Sequence, residues 1–267
     1  LMNNKIFLTL IFFFFINTIS YSFELNGNFV QGGLIKGKVH PGTKVLLDNK
    51  PLKVSKEGLF VFGISKERLS NVKLEFQYNS KKNIVVKEIK KRKFVVQRID
   101  GLPPRMVTPN ENDMLRIKAE AKLINTAKLI DSNNIFFYSD FTKPVEGIIT
   151  GKYGNQRILN GEPRRAHYGI DIAAKKGAPV KSPANGVVTL VEKNLYFTGG
   201  TIFIDHGHGV NSIYSHLETV NVQKGQSVLK GDVIATVGST GRSTGPHLDF
   251  RIYWKDIAVD PELVLKN

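Results

Sequence analysis

The alternation of hydrophobic and polar positions predicts strands in the first part of the chain. Segments such as Val72–Tyr78 and Asn83–Ile89 alternate apolar and polar residues, and Pro41-Gly42 marks a turn. This alternation is typical of strands with one buried face, and strands repeated every 8–12 residues or so favour a small antiparallel sandwich. We therefore predict an N-terminal β accessory domain over residues 23–106.

A helical pattern follows over residues 107–135. The stretch Thr108-Pro109-Asn110-Glu111 matches a capping box, with Thr108 at the N-cap and Glu111 at the third helical position. The pattern predicts a connector helix that ends near Asp131. Its apolar positions are expected to share one broad face: Leu115, Ala119, Leu123 and Ile130.

Strand patterns return over residues 136–267, where glycines separate the apolar runs. They predict a second all-β domain with almost no helix, so the expected fold class is mainly β. The predicted strands are Val187–Val191, Thr201–Asp205, Ser212–Leu217, Val233–Val237 and His247–Tyr253.

Residues 1–22 have the pattern of an export signal. Lys5 precedes the apolar run Ile6–Ile19, and Ser20-Tyr21-Ser22 supplies small residues before a cleavage site at Phe23. The run is shorter than the roughly 20 residues that cross a bilayer comfortably. We expect an exported protein in the periplasm or cell envelope, with an uncleaved membrane anchor as the alternative.

Composition narrows the expected partners. The chain has 38 Lys and Arg against 23 Asp and Glu, a formal net charge of +15, which favours an anionic partner such as a cell-wall polymer. No nucleic-acid-binding motif accompanies this charge, so we expect no nucleic-acid partner. The absence of cysteine excludes a disulfide-linked partner and a thiol nucleophile, and leaves His, Asp and Glu as the expected metal ligands.

Two short blocks carry polar side chains at strand spacing. In His167-Tyr168-Gly169-Ile170-Asp171, a strand places His167 and Asp171 on one face, and Gly169 between them leaves room for an ion. In the block from Gly245 to Arg251, apolar residues face the core and the opposite face carries three polar side chains: His247, Asp249 and Arg251.

A third block, Tyr214-Ser215-His216-Leu217, adds another histidine. Alternation aligns Tyr214 with His216 on one face. Three such strands in one domain are able to offer their imidazoles and carboxylates to one groove, and scattered surface polar residues are the alternative interpretation.

The three blocks resemble the signature motifs of lysostaphin-type (LytM-like) zinc metallopeptidases, over roughly residues 140–260. The resemblance implies one zinc ion per chain, held by His167, Asp171 and Asp249. It also implies that His216 and His247 are catalytic. Asp249 stands where the family normally has histidine, and a second carboxylate neutralises the ion, which makes its bound water less acidic. His206 is an alternative third ligand.

The resemblance further implies the activity and the substrate. We expect an exported zinc metalloendopeptidase that hydrolyses peptide bonds in peptidoglycan stems or cross-links through a metal-activated water. Candidates for substrate contact are Arg157, Arg165 and Tyr214, and for the two arginines simple solvation at the surface is the alternative.

Two other functions compete with the peptidase. Some relatives have lost metal ligands and activate a separate cell-wall amidase, and Asp249 favours that interpretation, whereas the retained His167, Asp171, His216 and His247 argue against it. A regulatory envelope protein would then be a further partner. A lipoyl-type carrier is the third interpretation, but the chain lacks the carrier lysine beside methionine at a hairpin tip.

Overall fold

The structure, a computed structural model, describes residues 22–266. Residues 1–21, which make up nearly all of the predicted signal peptide 1–22, lie outside the described residues, so the export signal stays a prediction. Within residues 22–266 no helix combines the length and the apolar character that a bilayer span requires.

Two antiparallel sheets form the N-terminal part of the chain. Its strands are β1 (Glu24–Asn26), β2 (Leu34–Lys38), β3 (Lys44–Leu47), β4 (Lys50–Pro51), β5 (Leu59–Gly63), β6 (Val72–Tyr78), β7 (Lys81–Lys87) and β8 (Val96–Ile99). One sheet has the order β1-β2-β5 and the other β4-β3-β6-β7. The rings of Phe60 and Phe76, one from each sheet, lie 6.3 Å apart in a shared core, as the predicted sandwich requires.

Two helices connect this part to the rest: α1 (Pro104–Val107) and α2 (Glu111–Lys128). The predicted N-cap at Thr108 is wrong. The N-cap is Asn110, whose side chain accepts a hydrogen bond of 2.9 Å from the Asp113 N–H and so satisfies one of the free donors of the first turn. The predicted end near Asp131 is also late, because the helix stops at Lys128.

The apolar positions expected to share one face of α2 do not form a buried face. Leu115 is 70% exposed and Leu123 is 38% exposed, whereas Asp113 and Ala127 are buried. Polar contacts to Tyr196 help to hold the helix, and Ala127 and Ile124 near its end pack in a hydrophobic cluster with the sheet. The Tyr196 backbone N–H donates to Glu120 Oε2 over 2.7 Å, and the Tyr196 hydroxyl donates to Asp113 Oδ2 over 3.1 Å.

The C-terminal part is a large antiparallel sheet with smaller additions. Its strands are β9 (Phe141–Thr142), β10 (Ile148–Gly151), β11 (Gln156–Leu159), β12 (Glu162–Arg164), β13 (Ile170–Ala173), β14 (Pro179–Lys181), β15 (Gly186–Leu195), β16 (Gly199–Gly207), β17 (Val210–Val220), β18 (Ser227–Val228), β19 (Val233–Val237), β20 (His247–Trp254), β21 (Ile257–Val259) and β22 (Leu265–Lys266). Short 3-10 turns lie at Phe136–Tyr138 and Pro261–Leu263. The five strands predicted here and the mainly β fold class are confirmed.

The main sheet runs in the order β10-β13-β20-β17-β16-β15-β18, and at its centre all of β16 and the first eight residues of β17 are buried. Ile172 of β13 and Leu248, Phe250 and Ile252 of β20 are fully buried, as the alternation predicts. This packing turns the intervening polar residues to the other face of the sheet.

The connector lies beside that polar face. Strand β8 pairs in parallel with β11, and the side chain of Asn160 exchanges two hydrogen bonds with the backbone of Leu102, of 2.7 and 3.2 Å. Residues 96–128 therefore form one wall of a cleft whose floor is the main sheet. The domain boundaries at residues 106 and 135 stay predictions.

Candidate metal centre

Neighbouring strands bring the three predicted metal ligands together. Asp171 of β13 lies directly opposite Asp249 of β20, so both side chains are on the same face. His167 precedes β13, and its backbone bonds to Asn155 and Gly154 over 2.8 and 2.7 Å. One ligand atom from each of His167, Asp171 and Asp249 lies within 4.8 Å of the others, and within residues 22–266 this is the only such group of three.

Several atoms of this group lack a protein partner. His167 Nδ1 and Nε2 and Asp171 Oδ1 are buried and accept or donate no hydrogen bond, although His167 Nε2 lies only 3.1 Å from Asp171 Oδ1. Buried polar atoms without partners cost free energy unless a ligand satisfies them. Two carboxylates and an imidazole are suitable donors for a divalent metal ion, so the residues fit one.

Each carboxylate is also bound by an arginine. Arg251 Nε and Nη2 donate to the two oxygens of Asp249 over 2.8 and 2.5 Å, and Arg157 Nη2 donates to Asp171 Oδ2. Burial raises the pKa of Asp249, but the Arg251 guanidinium outweighs burial and holds that pKa well below its usual range. Asp249 is therefore ionised, and each of its oxygens keeps a second lone pair for a metal.

Glycine at two positions leaves room for the side chains of Asp171 and Arg251. Gly151 of β10 lies opposite Asp171, and a Cβ there would come within 2.1 Å of Asp171 Oδ2. At Gly169, a Cβ would lie 2.4 Å from Arg251 Cγ. The room that the sequence predicts at Gly169 is filled by the side chain of Arg251.

His216 and His247 face each other beside the three ligands. Their ring centroids are 4.7 Å apart, and His247 Nε2 lies 3.9 Å from Asp171 Oδ1. His216 Nδ1–H donates to the Thr240 carbonyl over 2.7 Å, and His247 Nδ1–H donates to the Gly245 carbonyl over 2.8 Å. These bonds select the tautomer with a free lone pair on Nε2. Burial lowers the pKa of His216 to about 4, so its ring is neutral at pH 7.

The predicted alignment of Tyr214 with His216 is wrong. Tyr214 is fully buried in the core opposite Phe250, and its hydroxyl bonds to Ser212 Oγ over 2.8 Å. His216 reaches the other face because its φ angle is +65° and the strand register shifts beside it. Alternation fails at such an irregularity because the extra rotation turns the next side chain over.

The other candidates lie in different surroundings. Arg157 is at the metal centre, bound to Asp171, whereas Arg165 is exposed at the rim of the cleft. His206 is not a ligand, because its Nδ1 bonds to the Asn185 carbonyl and its Nε2 to Ser212 Oγ, each over 2.7 Å.

Two cavities flank the metal centre within the cleft. One of about 290 Å³ is lined by Asp171, His216 and His247 and by Ile99 of β8 and Leu102. The other, of about 740 Å³, lies between α2 and the sheet, next to His167. Substrate-sized space therefore lies on both sides of the reactive groups.

One side chain that sequence analysis missed, Arg242, lines both cavities. It lies in the turn before β20, five residues ahead of His247, and an arginine between Gly241 and Ser243 was the available signal. Spacing alone does not reveal it, because a turn residue has no predictable face.

Comparisons with known proteins match the C-terminal part most closely. The model of "Peptidase family M23" matches residues 165–261. The DD-carboxypeptidase/endopeptidase Mpg of Neisseria meningitidis serogroup B is 42% identical over 97 residues, which are 36% of this chain and 22% of that protein. The peptidoglycan DD-endopeptidase ShyB of Vibrio cholerae is 43% identical over 94 residues, 35% of this chain and 22% of that protein. The matched region thus spans only about a fifth of these curated relatives.

One solved structure is similar over most of the chain. It is a Pseudomonas aeruginosa chain assigned to peptidase M23, with a TM-score of 0.65 and 28% identity over 88% of this chain and 94% of that one. Since it covers 88% of this chain, the likeness extends beyond residues 165–261. Together with the family match, it shows that this chain carries a domain of peptidase family M23, the lysostaphin-type metallopeptidases.

Proposed function

We propose that this protein is a zinc metalloendopeptidase that hydrolyses peptide bonds in peptidoglycan stems or cross-links. One observation carries the proposal: three buried donors converge beside two imidazoles whose Nε2 atoms are free, inside a cleft. The names of the relatives, which include DD-endopeptidases, support bonds between two D-configured residues as the substrate class.

His167, Asp171 and Asp249 would hold the ion, and zinc is proposed from the family. When bound, such an ion supplies a Lewis acid that polarises a peptide carbonyl and lowers the pKa of a water molecule. The rest of the chemistry belongs to the side chains of the cleft.

His216 is the proposed proton acceptor. Its Nδ1–H is held by the Thr240 carbonyl, so its Nε2 lone pair is available to take a proton from the attacking water. The proton that His216 takes up would then pass to the leaving nitrogen, while His247, whose ring lies 4.7 Å from that of His216, is placed to accept a hydrogen bond from the water at its own free Nε2. Both rings are fixed by backbone carbonyls, which limits the reorganisation that proton transfer requires.

The test combines metal content with hydrolysis. Purified protein should contain one zinc per chain by mass spectrometry of the metal, and it should release soluble muropeptides from isolated sacculi. His167→Ala is the control, because it removes a ligand from the same fold. Release of muropeptides by the metal-free His167→Ala protein would contradict the proposal.

A second candidate function is an inactive activator of a cell-wall amidase, with a regulatory envelope protein as its partner. It is favoured by the arginine pairs, because Arg157 and Arg251 already balance the charges of Asp171 and Asp249 without a cation. A metal-free protein that stimulates an amidase on sacculi but releases no stem peptides by itself would support this function and contradict the peptidase.

We also propose an envelope location. A protein that acts on peptidoglycan must be exported, and the predicted signal at residues 1–22 provides a route. Fractionation of cells that produce the full chain tests this, and recovery of the protein only with the cytoplasm would contradict it.

A further inference from the structure

Four arginines surround the metal centre, and one of them differs from the rest. Three are paired with carboxylates: Arg157 with Asp171, Arg251 with Asp249, and Arg164 with Glu162. Among residues 22–266, no carboxylate lies within ion-pair distance of Arg242. A cation without a counter-ion next to a reaction centre is a candidate binding group for an anion.

The Arg242 side chain is held in place by contacts that use only one of its hydrogen-bond donors. Its Nη1 donates one hydrogen bond of 3.2 Å to the Met106 carbonyl, and its guanidinium lies 4.3 Å from the centroid of the Phe197 ring. A guanidinium has five N–H donors, so most of them are available. Burial, with a smaller contribution from the neighbouring arginines, lowers the pKa of Arg242 to about 10, so an anion at this point would relieve unfavourable electrostatics.

The position of Arg242 links it to the reacting groups. It lines the cavity of about 290 Å³ together with Asp171, His216 and His247. A cavity of this size holds one or two small residues, so a group bound to Arg242 would lie close to the bond being cleaved.

Peptide bonds between two D-centres have a matching feature. In a stem-peptide cross-link, and in a stem that ends in a D-residue, the carbon that carries the scissile nitrogen also carries a free carboxylate. This group is planar and has two acceptor oxygens, which suits two parallel hydrogen bonds from a guanidinium.

We propose that Arg242 binds this leaving-side carboxylate and thereby places the scissile bond between the metal centre and His216. The inference rests on the proposed function. On binding, the carboxylate replaces the Met106 carbonyl, which is a single neutral acceptor and therefore the weaker partner. Arg165 is exposed at the rim and is not expected to share this role.

The test compares a carboxylate with its amide. The substrates are a soluble cross-linked muropeptide dimer and the same dimer with the leaving-side carboxylate converted to a carboxamide. The proteins are wild type, Arg242→Gln, Arg242→Lys and, as a control that removes the same charge from the rim, Arg165→Gln. Chromatography gives kcat and KM, and calorimetry gives the affinity for the leaving-side peptide product and for its amide.

Wild type and Arg165→Gln should prefer the carboxylate form by about 10- to 100-fold in kcat/KM and in affinity, the usual range for a charge-assisted hydrogen bond. Arg242→Gln should lose this preference, because kcat/KM should fall much further for the carboxylate form than for the amide form, and Arg242→Lys should keep part of the preference. If Arg242 had a merely structural role, Arg242→Gln would lower kcat/KM for both dimers by the same factor. The ratio of the two kcat/KM values therefore separates a structural role from carboxylate binding.

The outcomes separate this inference from the proposed function. If wild type cleaves both dimers equally, the carboxylate subsite is wrong and the peptidase remains. An equal loss on both dimers in Arg242→Gln likewise overturns the subsite. If no dimer is cleaved but the product peptide binds wild type more tightly than its amide does, and only through Arg242, the subsite stands and the proposed activity is wrong.

Discussion

His206 of β16 and His216 of β17 lie on neighbouring strands, and both side chains are buried. Burial lowers the pKa of each to about 4, so both rings are neutral at pH 7. They differ in the second ring nitrogen. Both nitrogens of His206 are bonded, to Asn185 and Ser212, whereas only Nδ1 of His216 is bonded, to Thr240. A free nitrogen beside carboxylates, rather than burial or a shifted pKa, therefore distinguishes His216, the proposed proton acceptor, from His206.

Removal of a proposed metal ligand should have the most severe consequence. His167→Ala or Asp171→Ala should lose bound metal and all muropeptide release, because the site loses one of its three donors. The fold should survive, since neither side chain belongs to the hydrophobic core. Metal analysis, circular dichroism and release from sacculi measure the three properties.

His40→Ala is the matched control for that experiment, because it removes an exposed histidine far from the cleft. It should keep both metal and activity. Stoichiometric metal in both His167→Ala and Asp171→Ala would mean that the ligands are assigned wrongly.

The next largest effect concerns the histidines themselves. His216→Ala and His247→Ala should each lower kcat by about 10²–10⁴-fold, the usual contribution of a general acid or base, while the metal stays bound. His206→Gln should keep most of the activity, because neither ring nitrogen of His206 is free. Added imidazole should restore part of the rate to His216→Ala, and normal rates in the alanine variants would end the proposed proton-transfer role.

Sequence patterns predicted side-chain orientation well along a regular strand and poorly at an irregular one. Alternation along β20 correctly separated the core residues Leu248 and Phe250 from the polar face. It failed at His216, where a positive φ angle reverses the side chain, and at Tyr214, which lies in the core. The pair of Arg157 with Asp171 was not predictable, because Arg157 reaches Asp171 from a separate strand pairing.

The connector shows a second limit. The apolar residues of α2 were expected to share one face, yet Leu115 is exposed, and the helix is held by polar contacts to Tyr196 as well as by the packing of Ala127. Periodicity reports where a helix has apolar residues, but the position of the neighbouring sheet decides which face is covered. The N-cap is Asn110 and not the predicted Thr108. Either side chain is able to cap a helix, so the residue type alone did not decide between them.

A further prediction concerns Asp249, which stands where the family normally has histidine. Asp249→Ala should lose metal, whereas Asp249→His should bind zinc more tightly than wild type, because imidazole suits zinc better than a carboxylate does. Since Asp249→His leaves Arg251 without its carboxylate, we expect the double variant with Arg251→Gln to show the full gain, about 10- to 100-fold in affinity. Competition with a zinc-binding dye measures it.

The outcome also separates the two candidate functions. If wild type binds no metal and the double variant does, the activator is supported and the peptidase is contradicted. If Asp249→Ala keeps metal and turnover, Asp249 is not a ligand.

The smallest predicted effect concerns stability at the His206 end. The pKa of His206 is about 4 in the folded protein and about 6.5 when unfolded, so between these values the unfolded chain binds more protons and stability falls as pH falls. The loss between pH 8 and pH 5 should be about 2 kcal/mol for this residue. His206→Gln, although less stable at pH 8, should therefore lose about 2 kcal/mol less than wild type over this range. Urea unfolding of both proteins in chelator measures the difference, and equal losses would show that His206 is not the buried neutral histidine described above.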